Sequence, residues 1–137
     1  MPNYIQTVTI NHSTALKAVQ IALAEGAKQG IAISAAVVDP SLMLVAFAKA
    51  DGATPHSVET SRRKATAAAS TGKATGWMGE DLAVALPLAA NNLLTNILGG
   101  FPLVFDGRHV GGLGIAGGTV EQDAAIARMT IEELGAE

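Results

Sequence analysis

His56, Glu59 and Lys64 follow Asp51 in a stretch that reads as a loop entering a helix. At a helix start the positive end of the dipole favours a neutral imidazole, which can ligate iron or accept a proton. Glu59 lies three residues on, on the same helical face, where it could orient His56. The plainer alternative is an exposed first-turn histidine. Successive helical residues turn by about 100°, so Lys64 cannot face the same way as Arg62 and Arg63. It adjoins the small residues Ala65 and Ala68, whereas the two arginines read as a solvated face. A lysine so placed could hold a ligand carboxylate or, when partly desolvated, act as a base. It could equally form a structural ion pair with Asp51 or Asp39. Asp51 precedes Gly52 and also suits a turn. His56, Glu59, Lys64 and Asp51 are therefore the candidate acid–base set.

The other histidines are His12, ahead of the first helix, and His109, in a hairpin that reads as a solvated turn. None of the histidines has HxxxH-type spacing, and the chain has no cysteine, so no metal site is expected from motifs. Met43, Met78 and Met129 read as core residues rather than haem ligands.

The elements that must position these groups centre on residues 98–127, LGGFPLVFDGRHVGGLGIAGGTVEQDAAIA. Phe101–Phe105 and Val110–Ala116 read as strands joined through Asp106-Gly107, residues that tolerate the positive φ of a tight hairpin. Gly117-Gly118 then leads into a helix over Val120–Leu134. Thr119 and Gln122 have the spacing of a capping box. The glycines are expected to leave bare N–H groups there, an anion site by dipole and donors together; a glycine-requiring turn is the plainer reading. Gly99-Gly100 could allow a ligand or a neighbouring subunit to approach the backbone.

Upstream, Ile5–Ile10 reads as a short edge strand by imperfect alternation. Asn11 or Ser13 can cap a helix whose stripe is Leu16, Val19, Leu23 and Ala27. Ile31–Val38 and Met43–Ala48 read as paired strands around Asp39-Pro40-Ser41. Thr54 is placed to cap the His56–Ser70 helix, with Pro55 at its first position. Glu80–Ala85 and Leu88–Ile97 read as helical pieces broken by Pro87. This order gives an α+β fold, an antiparallel sheet of about five strands flanked by helices.

The blocks GG-F-P-L-x-x-DG-x-x-VGG-x-G-I-x-GGT-x-EQD-x-x-IA, Asp51-Gly52-Ala53 and Ser61-x-x-Lys64-Ala65-x-x-Ala68 resemble the GlcG/HbpS family of proteins described as haem-binding and haem-degrading. The same domain ends some corrinoid adenosyltransferases of propanediol utilisation. With Val37-Val38-Asp39 and the first helix, the resemblance spans nearly the whole chain. It implies a profilin-like α/β/α sandwich, haem as cofactor, and a homo-oligomer (dimer, tetramer or octamer). It also implies a carboxylate, such as a haem propionate, near Lys64, and an axial nitrogen from a histidine, His56 before His12. Gly99, Gly100, Gly117, Gly118 and Thr119 complete the expected ligand-binding set.

Composition bounds these readings. At 137 residues the chain suits one domain over residues 1–137 with its own core. Half the residues are hydrophobic but only 4% aromatic, so small-residue packing is expected. A net charge of −3 argues against nucleic acid as the main partner. The chain has neither an apolar run of membrane-spanning length nor a signal-peptide pattern, so a cytoplasmic protein with no membrane partner is expected. Three readings stay open: a haem or tetrapyrrole binder with or without haem-degrading activity, a haem-independent catabolic enzyme with its pocket inside or between subunits, and a ligand-free assembly protein.

Overall fold

A computed structural model describes residues 2–137. Helix α1 (His12–Lys28) is capped by Asn11, whose side chain accepts from the Thr14 N–H. Strands β1 (Ser34–Val38) and β2 (Leu44–Lys49) follow, then α2 (Ser57–Thr71) and α3 (Glu80–Ala89). Strands β3 (Gly100–Phe105) and β4 (Arg108–Ala116) form the closing hairpin, and α4 (Val120–Leu134) ends the fold. The sheet is antiparallel throughout, in the order β2-β1-β4-β3. No helix of the described residues is long and apolar enough to cross a membrane.

The two faces of the sheet are covered unequally. Ala35 and Val37 point to one face, where they pack with Ala15, Ala18, Val19 and Ala22 of α1 and with Ile126 and Ala127 of α4. Ala36 and Val38 point to the other, against Ala65 and Ala69 of α2. This alternation is the period-2 signature of a strand buried on both sides.

Helix α2 lies close on β3 and β4 because those strands present glycine to it. A Cβ at Gly114 would collide with the Ser61 carbonyl, one at Gly112 with the Ala65 carbonyl, and one at Gly100 with the Lys64 carbonyl. The facing helix stripe is Ser57, Ser61, Lys64, Ala65 and Ala68, all buried. Small residues on both sides thus bring the two backbones together.

Four expectations need correction. The sheet has four strands rather than about five. Residues 5–9 are exposed; Ile10 alone is buried in the core, and its N–H makes one backbone hydrogen bond, to the Val110 carbonyl (3.0 Å), too little to make a ladder. Pro87 does not break the chain into two helical pieces; it sits inside α3. There it removes a bond to the Ala83 carbonyl, which is tolerated because α3 buries no residue and water can serve that oxygen. Residues 91–97 turn instead, with Asn91 and Asn92 at positive φ. Thr54 does not cap α2 through its side chain: its carbonyl accepts from the Ser57 N–H (3.1 Å) and Oγ (2.6 Å), and Pro55 precedes the helix.

Candidate functional site

The β4–α4 junction brings a lysine and an aspartate together inside the fold. Lys64 Nζ donates to Asp123 Oδ2 at 2.9 Å and to the Ile115 carbonyl at 2.7 Å. Both side chains are buried, at 1% and 3% exposure. The other Asp123 oxygen accepts from the Gly118 N–H at 2.9 Å. Burial pushes the Lys64 pKa down, and the charge and hydrogen bond of Asp123 oppose that shift. Gly99 lines the same spot: a Cβ there would stand 2.9 Å from Lys64 Nζ and 2.6 Å from the Ile115 carbonyl. The lysine is therefore a satisfied ion pair, and its partner is neither Asp51 nor Asp39. Asp39 instead closes the β1–β2 turn, accepting from the Ser41 and Met43 N–H groups at 2.8 and 3.0 Å.

Above this pair lies a cavity of about 390 Å³, within the usual range for small-molecule sites. Lys64 and Asp123 lie in its lining with Gly117 and Gly118, and His56, Ile97 and Val120 also line it. A second cavity, about 530 Å³, adjoins it and shares Thr60 and Ile97. Glu59 and Arg63 of α2 line its one side, Ala83 and Pro87 of α3 its other. Together they make a groove along the outer side of α2. The residues of α2 that face it, Glu59, Thr60 and Arg63, continue the line of His56 at helical spacing.

The structure separates the expected acid–base set. His56 precedes α2, is exposed, and makes no capping hydrogen bond. It shares a cavity with Lys64. Glu59 does not orient His56: it faces Arg62 Nη1 at 3.2 Å and Arg63 Nη2 at 3.8 Å, because arginines three and four residues on compete for it. Asp51 is exposed in its turn and lines neither cavity of the groove. His12 opens α1, which packs on the opposite face of the sheet from α2, so it does not meet His56. His109 is tied to the end of α2, its Nε2 lying 2.8 Å from the Ala69 carbonyl. A carbonyl only accepts, so Nε2 carries the hydrogen.

The glycine and threonine expectations also divide. Gly99 and Gly100 are buried and line neither cavity; they make room for α2 and Lys64. The start of α4 is not bare. Thr119 and Gln122 form a capping box: the Thr119 N–H donates to Gln122 Oε1 (2.8 Å) and the Gln122 N–H to Thr119 Oγ1 (3.2 Å). With Asp123 holding Gly118, much of the donor set expected to receive an anion is occupied from within the chain.

Asp123 is a site residue outside the expected set, because an acid in the first turn of a helix ordinarily just complements the dipole. Its signal is position: Asp123, Ile126, Ala127 and Thr130 form one buried stripe at helical spacing. An acid on such a stripe requires a buried partner.

Residues 10–132 match the family model described as haem degrading protein HbpS-like. Among solved structures, the chain is similar to HbpS from Streptomyces reticuli, determined as a double mutant. The identity is 30% and the TM-score 0.87, covering 98% of this chain and 93% of that one. It is similar in fold to ORFY of Klebsiella pneumoniae (24% identity, TM-score 0.89, covering 100% of this chain and 98% of that one). It is likewise similar in fold to PduOC, solved in complex with haem (24% identity, TM-score 0.87, covering 95% and 98%). No curated protein matches the sequence significantly. The family match spans most of the chain and includes the β3–β4–α4 unit that holds Lys64 and Asp123, and by it the chain belongs to the HbpS-like family.

Proposed function

We propose that the chain binds haem or a related tetrapyrrole in the groove along α2, with His56 as the axial nitrogen donor. The observation that carries this is His56 itself: an exposed imidazole, uncommitted to a helix cap, at the mouth of a cavity with an apolar wall. Ile97, Val120 and Ala116 supply that wall, and the neighbouring cavity adds Ala83, Pro87 and Leu94. A flat apolar ring needs such walls, and iron needs one neutral imidazole. The family description and the haem bound to PduOC support the choice of ligand. Bound haem would supply redox-active iron; the chain supplies the nitrogen, the walls and an ionised floor neutral in sum.

The test is a hemin titration of the purified, metal-free protein followed in the visible spectrum, with His56→Ala and His12→Ala in parallel. A saturable Soret shift lost in His56→Ala alone supports the proposal. A shift lost only in His12→Ala moves the ligand to the other face of the sheet. A weak shift unaffected by either variant overturns specific binding.

The same reading includes a second copy of the chain as partner. Among the described residues, helix α3 buries none of its own and has no extensive packing against another helix or strand. Leu82, Val84 and Leu88 are 41%, 65% and 69% exposed on it. An apolar helix left uncovered beside a ligand groove marks an association surface, and a homo-oligomer would also close the groove from outside.

A further inference from the structure

The groove needs a cation if its ligand is an acid, and Lys64 cannot serve. Its ammonium already holds Asp123 and the Ile115 carbonyl inside the fold. A ligand carboxylate taking Lys64 would leave Asp123 buried and unpaired, at high cost.

Arg63 is differently placed. It lines the larger cavity of the groove and is partly exposed. Its contact with Glu59 is long, 3.8 Å, whereas Arg62 holds the other Glu59 oxygen at 3.2 Å. Two guanidinium groups thus share one carboxylate. Among the ionised side chains that line the groove and the small cavity beside it, Arg62, Arg63 and Lys64 stand against Glu59 and Asp123. One positive charge is left over, in a chain whose net charge is −3. Arg63 also follows His56 by seven residues, two helical turns, so the two lie on one side of α2 about 10 Å apart along its axis.

We propose that Arg63 is the carboxylate anchor of the groove, which selects flat, largely apolar acids lying along α2 between Arg63 and His56. The planar fork of a guanidinium accepts a carboxylate in a bidentate pair, and Glu59 is left to Arg62 when the ligand binds. This rests on the groove being the ligand site, but it does not depend on iron.

Metal-free protoporphyrin IX and its dimethyl ester separate the two ideas, since neither needs an axial nitrogen. Binding of each is followed by porphyrin fluorescence for the wild type, Arg63→Gln, Arg63→Lys and Arg62→Gln, with a thermal melt of each variant confirming the fold. The expected result is a diacid bound about tenfold more tightly than the diester, a preference lost in Arg63→Gln. Arg63→Lys should keep part of it, Arg62→Gln should lower it in part because Glu59 then turns to Arg63, and diester affinity should be the same throughout. Equal binding of diacid and diester by the wild type, an equal loss of both in Arg63→Gln, or no binding of either overturns the proposal. Failure of His56 to ligate iron would show instead in the hemin titration and leave the diacid preference intact.

Discussion

Lys64 and Asp123 lie 59 positions apart in sequence and 2.9 Å apart in space, both buried where β4 passes into α4. The pair joins α2 on one face of the sheet to α4 on the other. Because each charge depends on its partner for solvation, removing one is worse than removing both. Lys64→Met should lower stability by about 3–5 kcal/mol, and adding Asp123→Asn should recover at least half of that loss. Chemical denaturation of both single variants and the double variant measures the coupling.

The lowered pKa of Lys64 fixes the sign of a pH effect. In the window between its folded value and the ordinary 10.5, the unfolded chain binds a proton that the folded chain has lost. Stability contributed by this group therefore rises with pH through that window and is flat below it. Unfolding free energies of the wild type, measured from pH 8 to 10.5 and compared with Lys64→Met/Asp123→Asn, should show this rise in the wild type alone. An opposite slope would mean that Asp123 outweighs burial.

Gly114 is predicted to tolerate no side chain. Its backbone is not in the left-handed region, so the penalty is one of packing against the Ser61 carbonyl. Gly114→Ala should cost about 2 kcal/mol or more by pushing α2 off β4, read as a lowered thermal midpoint.

Helix α3 should carry the contact between copies. Val84→Glu with Leu88→Glu places charge on its exposed apolar surface and should shift the protein to a smaller species in analytical ultracentrifugation. Since α3 buries no residue within the chain, the thermal stability of the folded subunit should change little. A wild type that is already monomeric would defeat this prediction.

Much of the fold was legible because its signals are local. The Asp106-Gly107 hairpin and the Thr119/Gln122 capping box depend on residues a few positions apart. The short strand expected at Ile5–Ile10 failed because alternation alone does not provide a neighbouring strand to pair with. The site was legible only in its materials. Lys64 stood out by its small-residue face, but its partner lay across the fold, and no spacing rule links them. Glu59 was expected to serve His56, yet arginines on the next turn claim it. Arg63 read as a solvated residue until the cavity beside it was visible.

The glycine floor beneath α2 also divides the groove in time. Helix α2 is held by three strand glycines and by a buried charge, so its inner amides should exchange with solvent only when the whole domain opens. Helix α3 has no such fastening, and its amides should exchange through small, frequent openings. A ligand entering the groove would thus meet one fixed bank and one that yields, and any slowing of hydrogen exchange on binding should fall on the yielding side.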